Sequence, residues 1–297
     1  MKKKDARWVR HCSSNPAVYF NTENLLEQLS LHTVCESAQC PNQGKCFTEN
    51  TATFLLLGST CTRNCTFCAV EHGVPQPVDE EEPYRISQAV KILNLNHVVL
   101  TSVTRDDLPD GGASHFVNTM RAVRYANPGV ALEVLIPDFK GSQEALHCIL
   151  NETPEVVNHN LETVPRLYPR IRPQAAYTHS LQLLGRVKAY TKECFTKSGL
   201  MVGLGENFEE VTAVMKDLRT VECDFLTIGQ YLRPSFDHYP IIRHVAQEEF
   251  DSYREIGEHL GFKSVFSSRM VRSSFMAGEI YKRALHSKST PLKEHFI

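Results

Sequence analysis

Residues 58–68 read GSTCTRNCTFC and place three cysteines in a CxxxCxxC array, Cys61, Cys65 and Cys68. Thiolates prefer zinc or iron–sulfur centres to hard cations. A structural zinc site takes a fourth ligand and usually has paired CxxC spacings. Three cysteines instead suit a four-iron cluster that keeps one iron open for a ligand. The array therefore favours an iron–sulfur site, with a zinc knuckle as the alternative.

The array directly follows a run of apolar and β-branched residues, and such runs alternate along the chain with longer amphipathic segments. This alternation is typical of repeated βα units. Six strands are predicted, at residues 51–58, 97–103, 131–139, 156–163, 196–205 and 225–232. The helices predicted between and after them span residues 82–96, 113–127, 141–152, 176–191, 208–222 and 247–262.

Six βα units predict an α/β fold, either a partial (β/α)6 barrel of the TIM type or an open doubly wound sheet. The pattern alone does not choose between them. Both folds bind ligands at the C-terminal ends of their parallel strands, where the cysteine array lies. Residues 51–262 are the predicted core. Residues 1–50 and 263–297 lack the alternation and are predicted to be N- and C-terminal extensions.

The composition is that of an ordinary globular protein, with 42% hydrophobic and 22% charged residues in a chain of 297. The 32 basic and 34 acidic residues are interleaved and give a formal net charge of −2, which argues against a nucleic-acid-binding surface. No apolar segment follows the basic N-terminus, so neither a secretory signal nor a membrane span is predicted. Cytoplasm is the expected compartment, and there the ten cysteines need a role other than disulfide formation.

A second cysteine array lies upstream, where Cys35, Cys40 and Cys46 have the spacing CxxxxCxxxxxC. By itself this spacing fixes neither the metal nor the number of metal ions, and a zinc loop is an equal alternative. The remaining cysteines are isolated in sequence and are predicted to be small buried hydrophobic residues: Cys12, Cys148, Cys194 and Cys223.

The CxxxCxxC array, with Phe67 before its last cysteine, resembles the motif of the radical S-adenosylmethionine (SAM) superfamily. The two arrays and the surrounding sequence together resemble the lipoyl synthase family from about residue 34 to residue 277. The matching stretches are 34–46, 53–70, 101–113 (TSVTRDDLPDGGA), 133–139 (EVLIPDF), 159–164 (HNLETV), 197–206 (KSGLMVGLGE), 227–234 (TIGQYLRP) and 271–277 (VRSSFMA). The fold that this resemblance implies is the partial (β/α)6 barrel of the radical SAM type.

The resemblance implies that Cys61, Cys65 and Cys68 hold a [4Fe–4S] cluster that binds SAM and cleaves it to a 5′-deoxyadenosyl radical. Asn160 and Glu162, on the fourth predicted strand, are candidates for contacts to the amino group or ribose of SAM. Three acids after the second strand are weaker candidates, because Asp commonly caps a helix at such a place: Asp106, Asp107 and Asp110.

The resemblance also implies a second, auxiliary [4Fe–4S] cluster. Its ligands would be Cys35, Cys40 and Cys46 together with a serine of the RSS motif, Ser274 in preference to its neighbour Ser273. An alkoxide is harder than a thiolate and matches soft iron–sulfur chemistry poorly. Serine ligation is reasonable if the iron that it binds must leave.

The implied reaction inserts two sulfur atoms, at C6 and C8, into an octanoyl group on a lysine of a lipoyl-carrier protein. It uses the auxiliary cluster as the sulfur donor and yields two methionines and two 5′-deoxyadenosines. The implied partners are an octanoylated carrier, either the acyltransferase subunit of a 2-oxoacid dehydrogenase or the glycine-cleavage H protein, and an electron donor such as flavodoxin or ferredoxin. No nucleic-acid or membrane partner is expected.

Two other features have more than one interpretation. Arg272, beside the serines, is interpreted as pairing with a buried carboxylate, as guiding the tail onto the auxiliary cluster, or as a solvated surface residue. Gly203 and Gly205 form a GLG sequence without a following GK[ST], so a tight turn or a close approach to SAM explains them as well as a nucleotide site does.

The chain departs from the family pattern at three places. Phe275 stands where the family has Tyr, residues 268–270 (SRM) replace Gly-Pro-Leu, and His179 replaces Arg. These changes leave every predicted ligand in place, and they bear on how the C-terminal tail closes and how fast the enzyme turns over.

Two alternative functions remain open at this point. One is radical SAM sulfur insertion on another substrate, such as a dethiobiotin-like acid or a tRNA base, although the near-neutral charge argues against tRNA. The other is a non-enzymatic carrier or scaffold for iron–sulfur clusters. The polar residues at the predicted strand ends favour a catalytic pocket over a carrier.

Overall fold

A sheet of parallel strands forms the centre of the protein. The structure, a computed structural model, describes residues 16–48 and 52–286. The main sheet has seven strands: β1 Thr53–Leu56, β2 His97–Ser102, β3 Ala131–Leu135, β4 Val156–Asn158, β5 Phe195–Val202, β6 Phe225–Gln230 and β7 Ser264–Ser267. All six predicted strands are present in it.

The order of the strands in the sheet distinguishes the two predicted folds. Each strand pairs in parallel with the strand that follows it in sequence, from β1 at one edge to β7 at the other. A doubly wound sheet reverses its strand order at a switch point, and this sheet has no reversal. The predicted partial barrel is therefore confirmed.

Helices connect the strands and cover the outer face of the sheet. They are α1 Pro16–Gln28, α2 Val34–Ser37, α3 Gln43–Thr48, α4 Glu82–Ile92, α5 Ala113–Ala126, α6 Gln143–Asn151, α7 Tyr168–Ile171, α8 Tyr177–Tyr190, α9 Phe208–Thr220, α10 Gln247–His259 and α11 Ala277–His286. In the part of the chain that the structure describes, no helix is long and apolar enough to cross a membrane.

The core lies between the outer face of the sheet and the helices. Phe54, Leu100 and Val134, from three adjacent strands, are fully buried in one apolar cluster with Phe116 of α5. Successive side chains of a strand point to opposite faces of the sheet. The neighbours of these residues along each strand therefore point into the barrel. The helices therefore account for the outer face and leave the concave inner face free for a ligand.

The described parts of both chain extensions, residues 16–48 and 263–286, pack against the barrel. The backbone of His32 accepts a hydrogen bond from Leu55 at 2.9 Å, which covers the free edge of β1. At the other end of the chain, Ile280 and Ala284 of α11 pack against residues that begin β4, β5 and β6: Val156, Phe195 and Phe225. The helix α11 thus closes the N-terminal end of the barrel and leaves the opposite end for the site.

The structure differs from the sequence predictions at several points. β7 lies in the segment predicted to be a C-terminal extension, so the sheet has one strand more than predicted. The fourth strand ends at Asn158 rather than at residue 163, and Glu162, within the predicted strand, has a φ of 66°, which is outside the extended region. Cys194 and Cys223 are buried as predicted, but Cys148 is exposed, so its predicted burial is wrong. Cys12 lies outside the described residues.

Candidate functional site

The loop after β1 carries Cys61, Cys65 and Cys68, here called the loop triad. Residues Thr60–Cys61 pair in parallel with Glu71–His72 as a short second sheet, which gives the loop its shape. The Cys61 sulfur accepts hydrogen bonds from the backbone N–H groups of Arg63 at 3.4 Å and Thr104 at 3.3 Å. These two hydrogen bonds fix the position of the Cys61 sulfur in the loop.

The upstream cysteines Cys35, Cys40 and Cys46, here called the upstream triad, lie on and between the short helices α2 and α3. Thr33 caps α2 by accepting a hydrogen bond from the backbone N–H of Glu36 at 3.2 Å, which fixes the start of this segment. The backbone N–H of Cys40 then donates to the carbonyl of Cys35 at 2.9 Å. These local bonds bring the sulfur atoms to the open end of the barrel.

Both triads line one cavity of about 550 Å³ on the concave side of the sheet. The cavity is also lined by Asn160 and Glu162 and by the tail residues Ser273 and Ser274. The structure therefore brings together all the predicted cluster ligands and the two main SAM candidates, although these residues are spread over 240 positions of the chain. This convergence is the main feature of the site.

The thiols of the cavity fit iron–sulfur ligation. All six cysteines of the two triads are free of disulfide bonds. Burial raises the pKa of Cys68 to about 12 and also raises the pKa values of Cys35, Cys40 and Cys65. Without a metal these thiols are protonated at neutral pH, and metal binding must release their protons.

Within residues 16–48 and 52–286, no three His, Cys, Asp or Glu side chains converge on a position where they could hold one metal ion. In a four-iron cluster each cysteine sulfur binds a different iron atom. The three thiols of each triad can therefore bind such a cluster from around the cavity, and their sulfur atoms need not converge on one position.

Glu162 and Arg172 are two charged residues that lie beside the loop triad. Glu162 adopts a left-handed backbone conformation, which costs a non-glycine residue energy and concentrates at functional sites. Burial raises its pKa, while the charge of Arg172 opposes that effect. The Nε of Arg172 is buried without a hydrogen-bond partner in the described part of the chain, and Arg172 lines the cavity.

Sequence reasoning missed Arg172. It is one of several arginines in an ordinary stretch of sequence, residues 166–172, and no spacing motif marks it. Its Nη1 donates to the backbone carbonyl of Asn160 at 3.0 Å, so it also supports the end of β4. An orphaned guanidinium N–H in a cavity indicates an anionic or carbonyl ligand, a signal that only the structure supplies.

The weaker acidic candidates have partners of their own and are absent from the cavity lining. Asp106 pairs with Arg63, Asp107 pairs with Arg105, and Asp110 accepts hydrogen bonds from two backbone N–H groups at the start of α5. The helix-capping interpretation is therefore correct for Asp110. The other two are engaged in ion pairs.

The GLG sequence is a tight turn. The carboxylate of Glu206 accepts hydrogen bonds from the backbone N–H of Gly203 at 2.6 Å and of Leu204 at 2.9 Å. Neither Gly203 nor Gly205 lines the cavity. Of the interpretations made from sequence, the turn is the one that the structure bears out.

The C-terminal tail, defined here as residues 268–276, reaches the cavity from β7. Ser273 accepts a hydrogen bond from the Nδ2 of Asn160 at 2.6 Å. Ser274 also lines the cavity, and no hydrogen bond of its side chain is found among the described residues. The guanidinium of Arg272 donates to the carbonyl of Val271 at 2.6 Å, and burial lowers its pKa. Arg272 is half-buried and lines the cavity, and no ion pair between it and a carboxylate is found within residues 16–48 and 52–286.

The three departures from the family pattern leave these contacts intact. The Phe275 ring lies 5.1 Å from the ammonium of Lys45 in α3, a cation–π contact that needs no hydroxyl. The tail carbonyl of Met270 accepts a hydrogen bond from Asn42 at 2.8 Å, so this contact uses the backbone rather than a side chain. His179 is exposed and plays no part in the cavity.

Comparison with known proteins identifies the family. Residues 55–218 match the Radical SAM superfamily. A lipoyl synthase from Caldanaerobacter subterraneus subsp. tengcongensis is 57% identical over 255 residues, which cover 86% of this chain and 89% of that protein. A lipoyl synthase from Caldicellulosiruptor saccharolyticus is 52% identical over 283 residues, covering 95% of this chain and 99% of that protein.

Solved structures share the fold at low sequence identity. Methylornithine synthase (PylB) has a TM-score of 0.56 and 12% identity, covering 94% of this chain and 82% of its own. HydG, a maturase of the [FeFe]-hydrogenase, has a TM-score of 0.59 and 13% identity, covering 95% and 69%. The sequence matches and the shared barrel together place the chain in the lipoyl synthase family of the radical SAM superfamily.

Proposed function

We propose that this chain inserts two sulfur atoms, at C6 and C8, into an octanoyl group carried on a lysine of a carrier protein. The observation that carries the proposal is the single cavity that both cysteine triads line. A radical source and a sulfur source must face the same carbon chain, and the barrel interior is the space that the two triads share. Apolar side chains such as Leu55, Leu135 and Met201 line that space and suit an octanoyl chain.

The loop triad would hold the [4Fe–4S] cluster that the superfamily uses with SAM. With SAM bound and an electron supplied, this cluster provides a 5′-deoxyadenosyl radical that takes hydrogen from an unactivated carbon. The chain's own residues would orient SAM: Asn160 and Glu162 offer acceptors for its amino group or ribose, and Arg172 offers a cation for its carboxylate.

The upstream triad and Ser274 would hold the auxiliary [4Fe–4S] cluster, which serves as the sulfur-donating substrate. Ser273 is already bound by Asn160, which leaves Ser274 as the serine available for iron. A hard alkoxide on a soft iron site is a weak ligand. A weak ligand suits an iron that is released when the sulfide is consumed.

The partners follow from this chemistry. The octanoylated carrier would be the acyltransferase subunit of a 2-oxoacid dehydrogenase or the glycine-cleavage H protein, and flavodoxin or ferredoxin would supply electrons. We place the reaction in the cytoplasm, where these proteins and reduced thiols coexist. The nearly balanced charge argues against a nucleic-acid partner.

The test uses the anaerobically reconstituted protein with SAM, a strong reductant and an octanoylated H protein. Mass spectrometry should detect lipoylated carrier with two 5′-deoxyadenosines per lipoyl group. Cys65→Ala should abolish 5′-deoxyadenosine formation, whereas Ser274→Ala should still cleave SAM but give little lipoyl product. The exposed Cys148→Ala serves as the matched control and should behave as wild type.

Two outcomes would contradict the proposal. Absence of 5′-deoxyadenosine from the reduced wild-type protein would leave an iron–sulfur carrier as the better interpretation. Wild-type lipoyl yield from Ser274→Ala would remove the tail serine from the sulfur-donating site.

A further inference from the structure

The tail lies directly on the inner wall of the barrel, in a slot made by two glycines of adjacent strands. A Cβ atom on Gly199 of β5 would lie 2.7 Å from the Oδ1 of Asn160 and 2.9 Å from the Oγ of Ser273. A Cβ atom on Gly229 of β6 would lie 2.1 Å from the carbonyl oxygen of Val271. Real Cβ atoms do not make such close contacts, so a side chain at Gly229 would displace the tail backbone and one at Gly199 would displace the side chains of Asn160 and Ser273.

Asn160 lies at the end of this slot and has two different neighbours. Its Nδ2 donates to the Oγ of Ser273 at 2.6 Å, across 113 positions of sequence. Its Oδ1 is buried and has no hydrogen-bond partner among the described residues. A buried acceptor without a donor is costly, and in a cavity it indicates a ligand that donates a hydrogen bond.

We propose that Asn160 is a positioning residue that couples docking of the tail to binding of SAM, with its Nδ2 holding Ser273 and its Oδ1 accepting a hydrogen bond from SAM. This inference rests on the proposed function, because it takes SAM as the ligand of the cavity. It adds to that function a thermodynamic link between the two halves of the site.

The physical basis is the planarity of the amide group. The two polar atoms of an asparagine side chain are held at a fixed angle to each other in one plane. While Ser273 binds Nδ2, Oδ1 is held toward the cavity. A ligand on Oδ1 in turn fixes Nδ2 toward the tail. Either contact stops rotation of the Asn160 side chain, so the second contact forms without that entropic cost. Docking of the tail and binding of the ligand therefore favour each other.

The coupling reaches the auxiliary site through the chain itself. Ser274 directly follows Ser273, so docking of Ser273 sets the position of the proposed iron ligand. The tail is also held from the other side, where Asn42 of the upstream segment donates to the carbonyl of Met270 at 2.8 Å. SAM binding would thereby steady the auxiliary site before any radical forms.

The experiment uses the cluster-loaded holoenzyme in its unreduced state, so that SAM binds without being cleaved. Hydrogen–deuterium exchange of the peptide spanning residues 268–277 is measured with and without SAM, and SAM affinity is measured by calorimetry. In the wild-type protein, SAM should slow exchange in this peptide. Ser273→Ala should weaken SAM binding on the order of fivefold and abolish the effect of SAM on exchange, because coupling between sites is reciprocal.

Two further variants guard against misfolding and local effects. Gly229→Ala displaces the tail at Val271 without touching Asn160, so it should reduce SAM affinity by a similar factor. Ser268→Ala is the matched control, since the hydrogen bonds of Ser268 found among the described residues are made by its backbone: its N–H donates to the carbonyl of Ile228, and its carbonyl accepts from the N–H of Val271. It should keep wild-type affinity and wild-type exchange.

Two results would overturn the coupling: tail exchange in wild type that does not respond to SAM, or unchanged SAM affinity in both Ser273→Ala and Gly229→Ala. Failure of the proposed function looks different. It would appear as wild-type holoenzyme that does not bind SAM at all, or that forms no 5′-deoxyadenosine once it is reduced.

Discussion

Arg63 and Asp138 form a buried two-point ion pair, with Nη1 to Oδ2 and Nη2 to Oδ1 both at 2.7 Å. The other side of the same guanidinium contacts Asp106 at 2.7 and 3.0 Å. Burial alone would raise the pKa of Asp138, but its bonds with Arg63 outweigh burial and lower the pKa to about 2. Arg63 therefore ties the loop triad to the loops that follow β2 and β3.

We expect Arg63→Lys to weaken the cluster of the loop triad, because lysine keeps the charge but cannot bond two carboxylates at once. A charge-assisted hydrogen bond contributes about 1.5–3 kcal/mol, so loss of iron to a chelator should become roughly tenfold faster or more. The measurement is the rate of iron release from the SAM-cleaving cluster under anaerobic conditions. Arg121→Lys is the control, since Arg121 is largely exposed in its pair with Glu152. Equal release rates in all three proteins would rule out this role for Arg63.

The fold was largely readable from sequence because each βα unit carries its own local pattern. β7, Ser264–Ser267, was missed because it follows the last predicted helix and was assigned to the C-terminal extension. Its place in the sheet comes instead from pairing with β6, a long-range contact. The irregular end of β4 was missed as well, since nothing in the sequence marks Glu162 for a conformation that Asn or Gly would adopt more easily.

The sequence predicted which side chains would be ligands in the candidate site, but not how the fold brings them together. The six thiols could be predicted from cysteine spacing, because metal sites often take thiolate ligands that lie a few residues apart in sequence. Spacing does not show that the tail crosses the barrel to meet Asn160, because such a contact depends on packing between distant segments. The role of Gly199 and Gly229 was invisible for the same reason, since a glycine reveals its purpose only when its neighbour in space is known.

A buried ion pair lies beneath the cavity, and we expect its disruption to be strongly destabilising. Lys197 and Glu133 are almost fully buried, 2.8 Å apart inside the barrel. Lys197→Met leaves the Glu133 carboxylate with only two longer contacts, the Nε2 of His97 at 3.4 Å and the Nδ2 of Asn158 at 3.3 Å, and should lower the free energy of unfolding by about 3–5 kcal/mol. The double variant with Glu133→Leu should recover most of that loss, because no charge then remains buried. Urea unfolding of the reduced apoprotein measures both values. A loss below about 1 kcal/mol in the single variant would mean that the pair contributes little.

The turn at Gly203 should tolerate no side chain. Gly203 has a φ of 101°, and a Cβ there would lie 2.6 Å from the carbonyl oxygen of Arg243 and 2.2 Å from the Nε2 of Gln230. Gly129 has a φ of 84° with no atom within 4 Å of its Cβ position, so it isolates the backbone cost alone. We expect Gly129→Ala to cost about 1–2 kcal/mol and Gly203→Ala to cost about 1–3 kcal/mol more. Thermal unfolding of the two variants, side by side, measures the difference, and equal costs would contradict the packing argument.

The stability of the protein should depend on pH through His159, which lies next to Asn160 at the end of β4. Its Nδ1 lies 2.8 Å from the carbonyl oxygen of Ile136, and its Nε2 lies 2.9 Å from the hydroxyl of Ser180. Burial, with the charge of Arg172 adding to it, lowers the pKa of His159 from 6.5 to about 4. The folded protein thus keeps this ring neutral where the unfolded chain binds a proton.

The sign of the effect follows from that difference. Above pH 6.5 neither state is protonated at His159, and the residue contributes its full stabilisation. As the pH falls from 6.5 toward 4, only the unfolded state gains a proton, so folding becomes progressively less favourable. Between pH 7.5 and pH 5.5 the loss should be about 1.4 kcal/mol, since one pKa unit corresponds to about that energy. The pKa of Glu162 is raised, so its protonation makes folding more favourable as the pH falls, which opposes the effect of His159. Glu162 is present in wild type and in both variants, so its contribution cancels in the comparison.

His159→Gln removes the titrating ring while keeping a polar side chain, and it should be less stable than wild type at pH 7.5. Between pH 7.5 and pH 5.5, its free energy of unfolding should fall by about 1.4 kcal/mol less than that of wild type. The measurement is the free energy of unfolding in urea for the reduced apoprotein at the two pH values. His244→Gln, at an exposed position, is the matched control and should keep the wild-type pH dependence. If His159→Gln and wild type lose stability equally, the ring is not held neutral in the folded state, and the end of β4 is less tightly sealed than its hydrogen bonds indicate.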